Sequence, residues 1–130
     1  MVCLDTDILV GLLKGDAEAI ASLRGLLTMG ETMKTNMITA YELLKGAAVS
    51  SRPEENLIQV RELLSNLPLL TLTYGSCEVA SSIHREMRDR GHVIGEFDVL
   101  IAAMAISNDE TLISRDKHFR LVENLRIQVW

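Results

Sequence analysis

The sequence predicts an α/β fold, a three-layer α/β/α sandwich with a short, mainly parallel sheet. Short apolar runs that suit buried strands alternate along the chain with longer stretches of helical periodicity. Such alternation is typical of a parallel sheet covered by helices on both faces. The stretch 99–106 is apolar on almost every side, so the helix that it forms must be buried on nearly every side. The length of 130 residues suits a single domain over residues 1–130.

The predicted elements follow one another without a linker, a repeat or a low-complexity tract. Gly15 ends the first helix, and Pro53 with two acids after it begins the fourth. The predicted strands cover residues 2–4, 32–36, 69–72, 111–113 and 126–129. The predicted helices cover residues 8–14, 16–29, 39–49, 52–66, 76–90 and 99–106.

Location and charge narrow the class of protein. No apolar run approaches the length of a membrane span, and the first residues lack the basic start of a signal peptide. Cys3 and Cys77 have apolar neighbours and are predicted to be small core residues of a reduced, cytoplasmic protein. The net charge of −5 argues against a simple basic nucleic-acid binder. It allows an enzyme that acts on nucleic acid, because bound metal ions invert the local charge.

Four acids are predicted to converge at one edge of the sheet. Asp5 follows the first strand and Asp116 follows the fourth, while Glu42 and Asp98 lie near the amino ends of two helices. In an open α/β sheet the carboxyl ends of the strands are where ligands bind. Like charges gathered there raise one another's pKa unless a cation compensates them. Carboxylates suit Mg²⁺ or Mn²⁺.

Each acid also has a purely structural interpretation. Asp5 or Asp7 could cap the first helix, and Asp116 could cap the turn that follows it. Thr39 and Glu42 have the spacing of a capping box. These interpretations account for the acids singly but not for their convergence. The histidines have no ligand-like spacing and are predicted to lie at the surface, outside the site: His84, His92 and His118.

The chain contains the segments VCLDTDILVGLL, TAYELLKG, FDVLIAAMAI, TLISRDKHF and NLRIQVW. Their most specific part is a D-x-L-I-A-A block followed by a T-L-x-[ST]-x-D block. Together the five segments resemble the PIN-domain ribonucleases, and most closely the VapC-type toxins of toxin–antitoxin pairs. The resemblance spans essentially the whole chain.

The resemblance implies a Mg²⁺- or Mn²⁺-dependent endoribonuclease that cleaves single-stranded RNA by metal-assisted hydrolysis, with one ion or two. Thr6 and Ser114 match hydroxyl positions beside the metal, and Glu96 is a supporting acid near Asp98. Asp7 stands where many members carry Asn or Ser. The catalytic and metal-binding residues carried over from the family are Asp5, Glu42, Asp98 and Asp116.

The resemblance also implies partners, namely an RNA substrate, a second copy of the chain and a cognate antitoxin. An antitoxin tail would occupy the groove beside the first helices, with an Arg among the acids. Basic residues that could steer the RNA backbone are Arg85, Arg88, Arg115 and Lys117. Apolar residues of the third and fourth helices that predict a homodimer interface are Tyr41, Leu44, Val49, Leu57, Ile58 and Leu64.

Two alternatives stay open on the sequence. Asp5 and Asp7 after a strand also resemble the nucleophile and acid of haloacid-dehalogenase-type phosphatases. The chain could instead be an inactive binding module of the same fold, whose acids hold a basic peptide. An assay with and without Mg²⁺ separates the second alternative from the ribonuclease.

Overall fold

The computed structural model describes residues Met1–Trp130 and contains one parallel sheet with helices on both faces, which confirms the predicted fold class. The five strands are β1 Val2–Leu4, β2 Met33–Asn36, β3 Leu69–Leu70, β4 Thr111–Ile113 and β5 Ile127–Gln128. The α-helices are α1 Thr6–Leu13, α2 Ala17–Thr28, α3 Met37–Ala48, α4 Pro53–Ser65, α5 Tyr74–Asp89 and α6 Glu96–Ser107. A 3₁₀ helix, Lys117–Leu121, follows β4. None of the helices is long and apolar enough to cross a membrane.

The sheet has the strand order β3-β2-β1-β4-β5, and every pairing is parallel. Strand β1 is therefore central, with β2 on one side of it and β4 on the other. The chain thus winds outward in one direction through β2 and in the other through β4. Such a reversal opens a crevice at the carboxyl ends of the two central strands, which is where ligands bind in open α/β sheets.

The helices form two layers because successive side chains of a strand point to opposite faces. Val2, Leu4 and Ile113 belong to one core cluster, which also contains the buried residues of α1, α2, α3 and α4. Cys3 and Leu112 belong to the other cluster, together with α5 and α6. Both faces of β1 are therefore covered, which holds its carboxyl end rigidly in the interior.

Helix α6 is the most deeply buried helix of the fold. Val99 and every residue from 101 to 105 are buried, as the apolar sequence of this stretch predicts. The helix begins at Glu96, three residues before the predicted start at residue 99, so that Asp98 lies within its first turn. A carboxylate is thereby placed at the amino end of a helix dipole, where negative charge is stabilised.

Two features of the fold differ from, or were absent in, the sequence prediction. Cys77 is exposed on α5, so the prediction that both cysteines are core residues is wrong for Cys77 and correct for Cys3. At the amino ends of β2 and β4, Lys34 Nζ lies 2.8 Å from Oε1 of Glu110, whose side chain is fully buried. Removing Lys34 would leave a buried, unpaired charge, so the pair fixes this edge of the sheet.

Candidate metal centre

Asp5 is the buried acid at the end of the central strand. Its backbone N–H donates to the carbonyl oxygen of Ile113 at 3.1 Å, which extends the β1–β4 ladder by one residue. It stands at the N-cap position of α1, but its side chain makes no capping hydrogen bond, so that structural interpretation is wrong. Only 6% of the residue is exposed. The buried carboxylate is therefore not used to cap α1.

Ser114 links the acids at the ends of β1 and β4. Its hydroxyl donates to Asp5 Oδ2 at 2.7 Å and accepts from the backbone N–H of Asp116 at 3.0 Å. The hydroxyl also lies 3.3 Å from Asp7 Oδ2, but it has one proton, and the shorter contact is to Asp5. Ser114 is completely buried, so this link is shielded from water.

Glu42 is held by Thr6 rather than by a capping box. Helix α3 begins at Met37, and its N-cap is Asn36, whose Oδ1 accepts from the Thr39 N–H at 2.8 Å. The predicted capping box of Thr39 and Glu42 is therefore wrong. The hydroxyl of Thr6 lies 2.9 Å from Glu42 Oε1 and 3.1 Å from the hydroxyl of Thr39. These contacts fix the half-buried Glu42 against α1.

Asp98, Asp116 and His118 form the compact part of the site. Each offers one possible ligand atom, and the three atoms lie within 4.8 Å of one another. Asp116 Oδ1 accepts from the His118 N–H at 2.9 Å and lies 2.7 Å from His118 Nδ1. The predicted capping role of Asp116 is thus confirmed. His118 is exposed at the surface as predicted, but it belongs to the cluster, which the sequence did not predict. Its position two residues after Asp116 is the signal that could have indicated this.

Burial and mutual repulsion raise the pKa of two of these acids. Burial raises the pKa of Asp5 to about 7 from 3.8, against hydrogen bonds from Ser114 and the Thr6 N–H, with the Asp7 and Asp98 charges adding to the rise. Burial also raises the pKa of Asp98, with the charges of Asp116 and Glu42 adding to the rise and His118 opposing it. The predicted acids therefore sense one another's charge, and their ionised forms are destabilised.

The site fits a hard divalent cation. Its donors are carboxylate oxygens with one imidazole and no thiolate, and oxygen donors are the ligands that Mg²⁺ and Mn²⁺ prefer. A cation among the acids would offset the repulsion from Asp116 and Glu42, which adds to the effect of burial on the pKa of Asp98. The compact ligand group consists of Asp98, Asp116 and His118. Asp5 and Glu42 lie outside this group but are near enough for their charges to interact with Asp98.

The other predicted site residues lie around this centre. Glu96 is exposed in the first turn of α6. Arg85 and Arg88 are exposed on α5, where both lie beside Asp89. Lys117 is exposed and opens the 3₁₀ helix.

The side chain of Arg115 is already engaged in contacts with other residues of the chain. Its guanidinium forms an ion pair with Glu18 and lies 3.5 Å from the ring centre of Trp130. Its Nε donates to the Trp130 carbonyl oxygen at 2.7 Å. Arg115 is therefore the least available of the predicted basic residues for binding a phosphate.

A carboxylate cluster at the switch point of a small parallel sheet is the arrangement expected of a metal-binding hydrolase. The family comparison identifies the class, because the PIN domain model matches residues 2–125. The chain belongs to the PIN-domain family.

Curated relatives match almost the whole chain. Ribonuclease VapC2 of Haemophilus influenzae is 34% identical over 98% of this chain and 96% of its own length. Ribonuclease VapC2 of Rickettsia felis is 27% identical with the same coverage. The tRNA(fMet)-specific endonuclease VapC of Shigella flexneri is 28% identical, again with that coverage.

Solved structures of toxin–antitoxin complexes have the same fold. A chain of VapBC2 from Rickettsia felis bound to a DNA fragment from their promoter matches with a TM-score of 0.90 and 27% identity, covering 100% of this chain and 99% of that chain. A chain of DNA-bound VapBC from Salmonella typhimurium matches with a TM-score of 0.88 and 28% identity over the same shares.

The raised pKa of Asp5 predicts a stability that falls as the pH rises. The folded chain holds this proton up to about pH 7, whereas the unfolded chain releases it near pH 3.8, so stability is lost between these two values. We expect Asp5→Asn to be more stable than the wild type at pH 8 by ~2–4 kcal/mol in the presence of chelator, with the difference shrinking towards pH 4. Urea unfolding across this range measures it. Equal stability of the two proteins at pH 8 would contradict the prediction.

Proposed function

We propose that residues 1–130 form a single PIN-like domain that acts as a metal-dependent endoribonuclease on single-stranded RNA, as the toxin of a toxin–antitoxin pair in the cytoplasm. The observation that carries the proposal is the cluster of acids at the switch point between β1 and β4. Membership of the PIN-domain family and the VapC relatives support it. The free cysteines are consistent with a reducing compartment.

The proposed catalytic and metal-binding residues are the four predicted acids, Asp5, Glu42, Asp98 and Asp116. A bound Mg²⁺ or Mn²⁺ supplies charge neutralisation on the phosphate and an activated water. Ser114 orients Asp5, and Thr6 orients Glu42, through the hydrogen bonds described above. His118 stands beside Asp116 and is added to the site as a further candidate ligand or proton carrier.

The RNA backbone is proposed to reach the acids along the exposed basic side chains of α5 and the 3₁₀ helix. Arg85, Arg88 and Lys117 have solvent-exposed charges that can pair with phosphates. Arg115 is a weaker candidate because of its contacts with Glu18 and Trp130. Glu96, exposed at the start of α6 two residues before Asp98, stays a proposed supporting acid.

The phosphatase alternative receives no support from the contacts of Asp7. That alternative needs a carboxyl group free to give a proton to a leaving group. The Asp7 carboxylate instead accepts from the Arg115 N–H at 2.7 Å and from the Trp130 Nε1–H at 3.0 Å. Both oxygens are thus engaged by donors from the chain itself.

Metal binding is expected to stabilise the folded protein. A ligand present at ~100 times its Kd adds about 2.7 kcal/mol when it binds only the folded state, so Mn²⁺ should raise the melting temperature by roughly 5–10 °C. The Asp5→Asn, Asp98→Asn double variant should lose this rise. Glu42→Gln should reduce it without lowering the metal-free melting temperature, because Glu42 caps no helix. An undiminished rise in the double variant would show that the ion binds elsewhere.

RNA cleavage is the direct test of the proposed activity. Purified protein, freed of antitoxin, should cut single-stranded RNA with Mg²⁺ or Mn²⁺ and stop when a chelator is added. Asp98→Asn should lose at least ~100-fold of the rate, since the metal contributes several kcal/mol to the transition state. The matched control is Asp109→Asn, which removes the same charge from an exposed residue before β4. Full activity in chelator would exclude the metal mechanism.

A homodimer is proposed through the exposed face of α3 and α4. Three of the six predicted interface residues are strongly exposed, with exposed fractions of 50% for Tyr41, 81% for Val49 and 62% for Ile58. Exposed apolar side chains on neighbouring helices favour a twofold contact. Sedimentation should give twice the 14.4 kDa mass of the chain at micromolar concentration. A mass of one chain would contradict the dimer.

An antitoxin is the proposed inhibitor, and the groove between α1, α3 and α4 is its proposed seat. This groove has a volume of about 380 Å³, reaches Glu42 and has apolar walls formed by Val10, Leu13, Leu43, Ala47 and Val60. Apolar residues of an antitoxin tail suit these walls, and an Arg suits the adjacent acids.

Competition with the metal tests this seat. The affinity of an Arg-containing antitoxin tail should fall as Mg²⁺ is raised, because the two cations compete for the same carboxylates. It should also fall in Asp98→Asn and stay unchanged in Asp109→Asn. Calorimetry across a Mg²⁺ series measures both effects. An affinity that is indifferent to Mg²⁺ and to Asp98→Asn would place the tail away from the acids.

A further inference from the structure

Asp7 is an acid beside the cluster whose contacts the proposed chemistry does not use. It lies in the first turn of α1, two residues after Asp5. Its Oδ2 accepts from the backbone N–H of Arg115 at 2.7 Å, and its Oδ1 accepts from Nε1–H of Trp130 at 3.0 Å. Each oxygen therefore has an N–H donor of its own. One donor is the backbone of Arg115, between Ser114 and Asp116, and the other is the indole of Trp130, which is distant in sequence.

Only a carboxylate satisfies both donors in this geometry. An Asn at the same position has one oxygen and one NH₂ group, so one of the two N–H donors would face another donor. Asn and Ser are the residues that the family resemblance associates with this position. The acid of this chain is thus matched to its two N–H partners, and the match depends on the Trp130 indole.

Trp130 is itself fixed by contacts on several sides. The Arg115 guanidinium covers its ring at 3.5 Å, and the Arg115 Nε holds its carbonyl oxygen. On α1, a Cβ added at Gly11 would stand 3.4 Å from Cη2 of Trp130 and only 2.8 Å from the Cβ of Ala19. Because glycine has no side chain, the indole can pack closely against the backbone of α1 at this position. The indole therefore holds Asp7 from a rigid position.

We propose that Asp7 is a positioning residue which, braced by Trp130, holds the end of β4 against α1 and so sets the spacing of Asp5 and Asp116 for a divalent cation. Asp7 fixes the backbone of Arg115 by accepting its N–H. Arg115 lies between Ser114, whose hydroxyl donates to Asp5, and Asp116, whose backbone N–H donates to that hydroxyl. Asp7 is not a metal ligand in this arrangement. The inference rests on the proposed function, because it assigns the support of the same metal centre.

Two variants disrupt the brace, by which we mean the Asp7–Trp130 hydrogen bond, in different ways. Asp7→Asn removes a charge and one acceptor. Trp130→Phe keeps an aromatic ring against Arg115 and removes the indole N–H together with part of the ring system that lies beside Gly11. We expect the Mn²⁺ affinity measured by calorimetry to fall about tenfold in Asp7→Asn, as is usual when a partner of a metal ligand is lost, and about threefold in Trp130→Phe. Asp109→Asn controls for the lost charge and should bind Mn²⁺ like the wild type.

A second control separates positioning from general loss of stability. Thr73→Ala removes the N-cap of α5, which lowers stability at a helix outside the brace, and should leave the Mn²⁺ affinity unchanged. Trp130 is the single tryptophan of the chain and gives an independent spectroscopic readout. Its emission should shift during a Mg²⁺ titration of the wild type with the calorimetric midpoint, and should no longer follow Mg²⁺ binding in Asp7→Asn.

The possible outcomes distinguish the inference from the function on which it rests. Wild-type affinity in both Asp7→Asn and Trp130→Phe overturns the positioning role while leaving the metal site intact. Complete loss of binding in Asp7→Asn with no change in Trp130→Phe overturns it in favour of a ligand role. An equal loss in Thr73→Ala reduces the effect to stability and overturns it as well. A wild-type protein that binds no Mn²⁺ overturns the proposed metal site itself.

Discussion

The carboxylate of Asp5 is held in the interior of the protein, at the end of the central strand β1. Asp5 is buried because β1 is covered by helices on both faces and by β2 and β4 at its sides. Its ionised form is costly there, and the Ser114 hydroxyl and the Thr6 N–H offset only part of that cost. A fold selected for stability alone would place an apolar or neutral residue at this position. The retained acid therefore points to a function that requires the charge.

The remaining acids add to this cost before any ion binds. Burial raises the pKa of Asp98 and of Asp5, and the neighbouring charges add to the rise: those of Asp116 and Glu42 at Asp98, and those of Asp7 and Asp98 at Asp5. Three of the four acids are also fixed by a neutral or helical donor: Ser114 for Asp5, Thr6 for Glu42 and the 3₁₀ helix for Asp116. The positions of these three acids are thus set by contacts within the chain. Preorganisation of this kind lets a cation bind without reordering its ligands.

The alternation of strands and helices was enough to predict the fold, because period-2 and period-3.6 patterns report burial directly. The burial of α6 was predicted for a different reason, namely that its sequence is apolar on almost every side. The start of α3 was not, since the Thr39–Glu42 spacing imitates a capping box while Asn36 makes the cap. Cys77 was misassigned because its apolar neighbours in sequence lie on the other side of α5.

The convergence of the acids at one edge could be predicted from their positions after strands, but the hydrogen bonds that support them could not. The indole of Trp130 bonds to Asp7 across 123 residues of sequence, a pairing that no local pattern encodes. His118 was placed outside the site because the spacing of the histidines was considered without Asp116, its contact two residues earlier. Contacts of long sequence separation thus determine how the site is held, while local sequence determines which residues are available to it.

Anomalous diffraction from crystals grown with Mn²⁺ would locate the ion without relying on activity. The proposed metal centre predicts an anomalous peak in the crevice between β1 and β4, at about 2.0–2.3 Å from carboxylate oxygens of Asp98 and Asp116. Asp7 should remain bonded to Trp130 and outside coordination distance. Strong Mn²⁺ peaks found only at acids elsewhere on the surface, with the crevice empty, would contradict it.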